Sequence, residues 1–401
     1  MGDYDVVVAG GGPAGLQFAR SLAGRTDRSV AVLEANAALA DNDKSTGGTF
    51  QQVIDGFDVP DRVVMSENPG VVFEGPDERS RLAIPNYVLD FPAFLEFLGA
   101  DATDRGAEIH TGSRVVDPVV EDGAVAGVTA RVDGSVEQYR GDVVVDATGP
   151  AGTLTTTLDM WDRAAAQRGI GKEFEVDGRF DGDAMVFRFD HAFAPGGYAW
   201  TFPGGDGTFK IGVCWVNDFY ERHRPPDGGP IDDYVRDWID ADDRWRVDSI
   251  RAVHAGEAVV DNSLNRRADD GIVAVGDAVS SINPLFGEGI RPGMESAAMA
   301  ADVVADALAA GDVSRERLVV YERAWNRRKG PKWKLQRMVG ELLYDFDADQ
   351  QNEFVERAGR LSGEQVDRLQ RYELTLRDLL ELYPFKPGDL PKVPRLLRHL
   401  R

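Results

Sequence analysis

Apolar residues along this chain follow two kinds of pattern, and the first is a short uninterrupted run. Such runs occupy residues 4–9, 30–33, 142–149 and 271–277, and each ends at or next to a glycine or an acidic residue. Runs of this composition are typical of strands buried on both faces of a parallel sheet. The sequence therefore predicts strands at these four places, with a helix over about residues 13–23 between the first two.

The second pattern is strict alternation, and it fills the middle of the chain between residues 156 and 260. In three stretches there, apolar residues occupy every second position, and a glycine-rich turn is predicted at 204–207. This period is typical of an antiparallel sheet with one face covered. The alternating residues are Phe187 and Phe189, then Tyr198, Trp200 and Phe202, then Phe209, Ile211, Val213 and Trp215.

Helical patterns account for much of the rest. Helices are predicted over about residues 92–105 and 293–309, with a pair of strands near 108–116 and 125–132. From residue 311 onward the chain is predicted to be helical, because apolar residues recur there at positions i, i+3, i+4 and i+7. The members of that apolar stripe are Leu335, Met338, Val339, Leu342, Leu343 and Phe346.

A glycine-rich turn with the spacing GxGxxG joins the first predicted strand to the first predicted helix. Gly10 allows a tight turn, Gly12 leaves room for a pyrophosphate, and Gly15 lets the helix pack close to the strand. Glu34 follows about 20 residues later, where a carboxylate can accept both ribose hydroxyls. An acid there disfavours a 2′-phosphate, so the motif predicts a dinucleotide other than NADP.

A second ligand-binding feature follows the strand predicted at 271–277. Asp277 places a carboxylate at the carboxyl end of that strand, where ligands of open α/β sheets bind. The loop after it contains Pro284, Gly287, Gly289 and Ile290 and leads into a helix. Its N–H groups and the positive end of the helix can face an electron-rich edge of a ligand ring.

Composition narrows the classes of site and partner. The net charge of −23 repels nucleic acid and suits a salt-rich cytoplasm, so we expect no nucleic-acid partner. Cys214 is the only cysteine, which excludes a disulfide within the chain and a cysteine-ligated cluster, and no metal site is predicted. We expect no signal peptide or membrane span, and therefore a cytoplasmic protein. Peripheral contact with the inner face of the membrane stays open.

Several of these segments resemble the FAD-binding domain of the glutathione-reductase-like flavoproteins: the glycine turn with Glu34, the run from Asp146 to Gly149, and the strand end at Gly276-Asp277. The resemblance implies that FAD lies extended across the domain, with Glu34 at the adenosine ribose. It implies Asp277 at the ribityl–pyrophosphate region and the loop from Gly287 to Ile290 near the pyrimidine edge of the isoalloxazine.

Before the helix near Pro92 this chain reads Val88-Leu89-Asp90-Phe91, which offers no arginine to supply a positive charge to FAD. Lys44 is the candidate for that positive charge. The predicted FAD-binding residues are Gly10, Gly12, Pro13, Ala14, Gly15, Glu34, Lys44, Gly149, Gly276, Asp277, Pro284, Gly287, Gly289 and Ile290.

The predicted fold class is α/β, with a Rossmann-like FAD-binding domain that contains the parallel sheet. That domain is discontinuous and covers residues 1–155 and 261–310. An antiparallel-sheet substrate domain covers 156–260, and a C-terminal helical region covers 311–401.

The run from Pro195 to Pro203 matches the PxxYxWxFP pattern of the geranylgeranyl reductase family at every specified position. The resemblance implies an FAD-dependent enzyme that saturates carbon–carbon double bonds of isoprenoid chains in archaeal lipids or a quinone tail. Tyr198, Trp200 and Phe202 share one face of a strand and can wall an apolar channel. Trp215 is a further candidate for substrate binding, and Tyr198 is the candidate proton donor. The electron donor, whether ferredoxin, NAD(P)H or a deazaflavin, is not specified by the sequence.

The same motifs are compatible with other functions. An aromatic monooxygenase or a flavin-dependent halogenase would share the FAD domain, although residues 150–154 lack the Asp-Gly pair of the hydroxylases. A quinone-linked electron-transfer flavoprotein and a carotenoid cyclase or desaturase are further alternatives. A basic stretch at 327–337 could attract anionic lipid or an acidic electron donor.

Overall fold

The computed structural model describes residues 2–44, 46–163, 166–260, 266–285, 287–387 and 389. The strands are β1 (Gly2–Ala9), β2 (Val30–Leu33), β3 (Gly48–Phe50), β4 (Val64–Asn68), β5 (Gly70–Glu74), β6 (Arg79–Leu82), β7 (Asn86–Leu89), β8 (Ala107–His110), β9 (Ser113–Glu121), β10 (Ala124–Val132), β11 (Ser135–Asp146), β12 (Gln167–Phe180), β13 (Ala184–Arg188), β14 (Gly197–Gly205), β15 (Thr208–Val216), β16 (Trp245–Val260), β17 (Ala268–Asp269) and β18 (Ile272–Ala274). The helices are α1 (Pro13–Ala23), α2 (Gln51–Gly56), α3 (Phe91–Asp104), α4 (Thr153–Thr157), α5 (Asn217–His223), α6 (Ile231–Asp240), α7 (Ile290–Ala310), α8 (Arg315–Leu343), α9 (Ala348–Ala358), α10 (Gly363–Gln370) and α11 (Leu376–Leu382).

The chain divides into two compact units, and the first consists of Met1–Asp43, Phe91–Ala166 and Val259–Pro331. Its sheet has the strand order β17-β18-β11-β1-β2-β8, and the hairpin of β9 and β10 pairs with β11. The strands from β18 to β8 are parallel, and β17 is antiparallel to β18 at one edge. The α/β fold with a parallel sheet, which the uninterrupted apolar runs predicted, is therefore confirmed.

Parallel pairing of this sheet brings several chain turns to one edge. Val7, Val144 and Ile272 belong to one apolar core cluster, so the central strands are held by buried β-branched side chains. Because β1, β2, β11 and β18 run in the same direction, their carboxyl ends meet at the same edge. Gly10, Glu34 and Ala147 directly follow three of these ends.

The second unit consists of Lys44–Asp90, Gln167–Ala258 and Lys332–Arg401. Its larger sheet has the order β16-β12-β15-β14-β13-β5-β6, and β3, β7 and β4 form a smaller sheet. The antiparallel order is interrupted once, where β13 pairs in parallel with β5. Residues 44–90 had been expected in the FAD-binding domain. They lie in this unit because β5 pairs with β13, and the C-terminal residues from 332 onward lie here as well.

Both faces of the larger sheet are covered, whereas the alternation predicted one covered face. On one face, Ile211 and Val213 of β15 pack with Trp238 of α6. On the other face, Trp200 and Phe202 of β14 pack with Val88 of β7. Successive residues of a strand point to opposite faces, so the apolar residues of β14 and β15 serve two different cores.

The short C-terminal helices begin at capping boxes, in which the side chain of each residue of a pair accepts a hydrogen bond from the backbone N–H of the other. The pairs are Asp347 with Gln350, Ser362 with Gln365, and Thr375 with Asp378. Across the described ranges, no helix is both long enough and apolar enough to cross a bilayer.

Candidate functional site

In the glycine turn after β1, two glycines lie in close contact with the backbone and a third borders open space. Gly10 has a φ of +108°, and a methyl group there would overlap the carbonyl oxygen of Ala147. A methyl group on Gly15 would overlap the carbonyl oxygen of Gly10, so α1 lies directly against the turn. At Gly12, the residue before α1, no described residue other than its neighbours in the chain comes within 4 Å of the place where a Cβ would be. The turn therefore leaves open space at the positive end of α1, where an anion is favoured.

Glu34 is held beside this turn by the backbone. Its Oε2 accepts a hydrogen bond from the N–H of Gly11 at 2.8 Å, and its Oε1 accepts one from the N–H of Asn36 at 2.8 Å. The side chain is 7% exposed. Each carboxylate oxygen keeps a second lone pair, so Glu34 can still accept two hydroxyl groups of a ribose.

Asp277 carries an unsatisfied buried oxygen. Its Oδ1 is buried and has no hydrogen-bond partner within the described chain. Burial raises the pKa of this carboxyl group to about 6. Gly289 faces it, since a methyl group on Gly289 would lie 3.5 Å from Oδ2. A ligand hydroxyl that donates to Asp277 would supply the missing hydrogen bond.

Two helix N-termini meet near Asp277. Gly276 has a φ of +60°, and a methyl group on it would lie 2.8 Å from the Cβ of Ala14 in the first turn of α1. Gly293, in the first turn of α7, would place a methyl group 3.8 Å from the same Cβ. Small residues thus let α1 and α7 converge, and the N–H groups and positive ends of both helices lie together.

Backbone hydrogen bonds within the loop that leads into α7 hold its two ends together. The N–H of Gly287 donates to the carbonyl oxygen of Asn283 at 3.0 Å, and the N–H of Asn283 donates to that of Glu288 at 2.9 Å. Gly287 has a φ of +66°. Pro284 and Ile290 are buried at the two ends of this loop, so the N-terminus of α7 is presented by a compact turn.

Asp146, at the end of β11, organises the turn that contains Gly149. Its carboxylate accepts hydrogen bonds from Thr148 at 3.0 Å and 2.7 Å and from the backbone N–H groups of Leu154 at 3.0 Å and Thr155 at 2.8 Å. Burial raises the pKa of Asp146, and these hydrogen bonds oppose the rise. Asp146 was part of the Asp-Ala-Thr-Gly signal but was not recognised as the residue that holds it.

The first unit therefore brings nearly all of the predicted FAD-binding residues to one edge of one sheet. The open space above Gly12 and the orphaned oxygen of Asp277 are both features that a bound dinucleotide would fill. Lys44 is the exception, because it is exposed and belongs to the second unit. Its predicted role beside FAD stays a prediction.

In the second unit, the predicted substrate residues of β14 form one aromatic face. The ring centroids of Tyr198 and Trp200 are 6.0 Å apart, and those of Trp200 and Phe202 are 6.4 Å apart. Phe187 of β13 joins them, with its centroid 5.2 Å from that of Phe202. Trp200 and Phe202 are each 5% exposed, whereas Tyr198 and Phe187 are partly exposed.

Trp215 is not brought to this face. It lies opposite Gly197 in the register of β14 and β15, one position out of phase with Tyr198. Its ring stacks on Tyr220 at 4.3 Å and meets Tyr234 edge-on at 5.4 Å. The alternation of β15 therefore directs Trp215 into the core beneath α5 and α6, and it does not join the other three residues.

Tyr198 keeps its proton over a wide pH range. Burial raises the pKa of Tyr198 well above its usual value, and the neighbouring thiol of Cys214 contributes in the same direction. Burial also raises the pKa of Cys214 to about 12. Both groups are neutral near pH 7, so the phenol can donate a proton but is a weak acid.

Glu173 of β12 is a buried acid that the sequence reasoning missed. Its Oε2 accepts a hydrogen bond from Nε1 of Trp200 at 2.8 Å, and the residue is 3% exposed. Burial raises the pKa of this carboxyl group. The sequence carried no signal for it, because no strand was predicted there and Glu173 alternates with the apolar Phe174 and Val176, which favours an exposed position.

Comparisons with known proteins bear on the fold and the family of this chain. Residues 169–260 match the model of the geranylgeranyl reductase catalytic domain, and residues 5–202 match the lycopene cyclase protein family. A solved structure from Thermoplasma acidophilum, described as geranylgeranyl bacteriochlorophyll reductase-like, superposes with a TM-score of 0.84 at 21% identity and covers 99% of this chain and 100% of that one. The flavin-dependent brominase Bmp2 superposes with a TM-score of 0.72 at 17% identity, covering 100% of both chains. These structural likenesses concern the fold.

Sequence identity with a curated relative shows the family as well as the fold. The digeranylgeranylglycerophospholipid reductase of Haloferax volcanii is 38% identical over 381 residues, which are 91% of this chain and 92% of that protein. Similarity at this level over nearly the whole length of both proteins establishes common family membership. The chain belongs to the geranylgeranyl reductase family, the family of the digeranylgeranylglycerophospholipid reductases.

Proposed function

We propose that the chain is an FAD-dependent oxidoreductase that saturates carbon–carbon double bonds in the isoprenoid chains of a digeranylgeranylglycerophospholipid. The observation that carries the proposal is the 38% identity with a reductase of that name over 91% of the chain. The glycine turn, the buried oxygen of Asp277 and the aromatic face of β14 support it, because a dinucleotide would suit the first two features and a hydrocarbon would suit the third.

FAD, when bound and reduced, would supply the hydride equivalent that an alkene needs. In the proposed arrangement, Glu34 would accept hydrogen bonds from the adenosine ribose hydroxyls, and the N-terminus of α1 would bind the pyrophosphate. Asp277 would accept a hydrogen bond from a hydroxyl of the ribityl chain, and the N-terminus of α7 would stabilise negative charge on the ring. The first unit would therefore act as the FAD-binding domain.

The second unit would act as the substrate domain. Tyr198, Trp200 and Phe202 would contact the isoprenoid chain, since apolar ring faces suit a long hydrocarbon and exclude water. We propose Tyr198 as the proton donor, because its hydroxyl is protonated near neutral pH and the residue is partly exposed on the aromatic face. Trp215 is left out of this proposal because of its position in the opposite core.

We propose a cytoplasmic protein that meets its lipid at the inner face of the membrane. Arg327 and Arg328 are exposed, and their positive charge would favour an anionic surface. The electron donor would be ferredoxin, NAD(P)H or a deazaflavin, and the oxidation of each donor by the purified protein would identify it.

Deletion of the gene tests this function in the cell. We expect membrane lipids of the deletion strain to keep double bonds that the parent strain lacks, as measured by mass spectrometry. The intact gene should restore saturation, whereas a gene carrying Trp200→Ala should not. Unchanged lipids with an altered quinone or halogenated product would favour one of the alternative activities instead.

A further inference from the structure

Three strands of the larger sheet place Trp200, Gly212 and Glu173 side by side. Trp200 of β14 lies opposite Gly212 of β15, and Gly212 lies opposite Glu173 of β12. Residues that are directly opposite on neighbouring strands point to the same face of the sheet. The three positions therefore form one row across the face that carries the aromatic residues.

The missing side chain at Gly212 lets the indole lie across the middle strand. A methyl group there would overlap Cζ2 of Trp200 and would lie 2.7 Å from its Cε2. Gly171, next along the same face of β12, also leaves room, since a methyl group on it would lie 3.6 Å from Cη2 of the ring. The ring thus spans the width of β15 and reaches β12.

The far end of the ring meets a carboxyl group. Nε1 of Trp200 donates to Oε2 of Glu173 at 2.8 Å, while Oε1 of Glu173 is buried and has no hydrogen-bond partner among the described residues. Lys210, which is 1% exposed, lies on the same face and offsets part of the cost of burying this acid. Burying an acidic side chain lowers the stability of a protein. The hydrogen bond from Trp200 to Glu173 therefore indicates a specific role for this acid.

Trp238 shows that the sheet can satisfy an indole without an acid. Its Nε1 donates to the backbone carbonyl oxygen of Trp200 at 3.2 Å, on the opposite face of the same strand. The ring of Trp238 is 0% exposed. The two indoles therefore use different acceptors. Trp238 of α6 uses a backbone carbonyl oxygen, whereas Trp200, on the aromatic face, uses a carboxyl group.

We propose that Glu173 is a positioning residue for substrate binding, which fixes the Trp200 ring across Gly212 and so sets the shape of the wall that contacts the isoprenoid chain. The proposal rests on the proposed function, in which Trp200 contacts that chain. Its direct evidence is the row from Trp200 to Glu173 and the single hydrogen bond that ends it. Glu173 acts through Trp200 and does not touch the reacting atoms.

The test compares Glu173→Leu and Glu173→Gln with the parent protein. Leucine removes the acceptor and puts an apolar side chain of similar size in its place. The amide oxygen of glutamine can still accept a hydrogen bond from Nε1. For Glu173→Leu we expect the KM for the lipid to rise about tenfold, which corresponds to ~1.4 kcal/mol, with a smaller change in kcat. Glutamine should restore most of the lost affinity.

A double-variant cycle separates positioning from general stability. With Trp200→Phe, which has no N–H to donate, adding Glu173→Leu should change the KM no further, because the two residues act as one unit. Trp238→Phe is the matched control, and we expect it to lower stability while leaving the KM unchanged. Independent effects of Glu173→Leu and Trp200→Phe would overturn the proposal, as would a failure of Glu173→Gln to restore binding.

A spectroscopic measurement makes the result independent of activity. In protein labelled with ¹⁵N at the indole nitrogens, the Nε1–H signal of Trp200 is identified by its loss in Trp200→Phe. We expect Glu173→Leu to move this signal and leave that of Trp238 in place. If the parent protein reduces no lipid, the proposed function fails while this signal still tests the contact. If the signal does not move, the positioning role fails whatever the activity.

Discussion

Two carboxylates in the first unit show how the same type of residue is prepared for different tasks. The oxygens of Asp146 are fully occupied by donors from the following turn, so this residue holds the backbone in place. Oδ1 of Asp277 is buried and has no hydrogen-bond partner among the described residues, and burial of the carboxyl group raises its pKa to about 6. A buried acceptor without a donor lowers the stability of the protein and is best explained by a ligand.

Asp277→Asn should therefore separate stability from cofactor binding. In the unfolded chain this carboxyl group has its ordinary pKa of 3.8, below the folded value of about 6. The folded state thus holds more protons between these values, and the contribution of Asp277 to stability falls as the pH rises through that window. We expect the FAD-free variant to be more stable than the parent at pH 7, by about 1 kcal/mol or more.

The same variant should bind FAD less tightly, because in the proposed arrangement a ribityl hydroxyl would lose its charged acceptor. A hydrogen bond to a charged group contributes about 1.5–3 kcal/mol, so we expect affinity to fall at least about tenfold in a flavin titration. Chemical denaturation of the FAD-free proteins at pH 4 and pH 7 supplies the comparison. A variant that is less stable at pH 7 and binds FAD normally would contradict this role for Asp277.

At the scale of elements, β14 and β15 show what alternation reveals and what it leaves open. The period of two identified both strands, and it grouped Tyr198, Trp200 and Phe202 correctly on one face. It could not say which neighbours cover each face, because that depends on the register with β12 and β13 and on the helices packed below. Trp215 was therefore assigned to the substrate site although it lies in the opposite core.

We expect Trp215→Ala to affect stability and Trp200→Ala to affect catalysis. Trp215 fills a packed core, so we expect its loss to lower the free energy of unfolding by about 3–5 kcal/mol and to leave the KM for the lipid unchanged in the folded fraction. Trp200→Ala should reduce turnover while FAD stays bound. Thermal denaturation and steady-state kinetics of both variants test the assignment of faces, and a changed KM in Trp215→Ala would contradict it.

The apolar stripe of α8 illustrates a second limit of sequence patterns. Leu335, Met338 and Val339 are partly exposed, while Gln336 is buried and donates to the carbonyl oxygen of Tyr372 at 3.1 Å. A polar residue can occupy a buried position when a specific partner satisfies it. Such partners come from distant parts of the chain, so Gln336 could not have been recognised as buried from the pattern alone. The same reason explains why Glu173 was missed.

At the scale of the whole molecule, the charge imbalance sets the conditions under which both units are stable. The chain carries 68 acidic and 45 basic side chains, so its compact state is opposed by self-repulsion. The parallel sheet, the glycine turn and the family motif were all readable from local spacing, whereas the assignment of residues 44–90 to the second unit required knowledge of a long-range strand pair.

Salt should therefore stabilise the protein. The Debye length falls from about 10 Å at 0.1 M salt to about 3 Å at 1 M, which screens the repulsion between acidic side chains. We expect the unfolding temperature to rise steadily with KCl over this range. A non-ionic osmolyte at the same osmolality should produce a smaller rise, and equal rises in the two solutes would contradict the electrostatic explanation.

The central claim is that this chain delivers two electrons and two protons to a carbon–carbon double bond of an isoprenoid lipid. The most direct measurement incubates the FAD-loaded protein and a chemical reductant with a digeranylgeranylglycerophospholipid, followed by mass spectrometry of the recovered lipid. We predict a mass gain of one H₂ for each double bond reduced, which disappears when FAD is removed. A lipid recovered with all its double bonds, from protein whose flavin is bound and reduced, would contradict the claim.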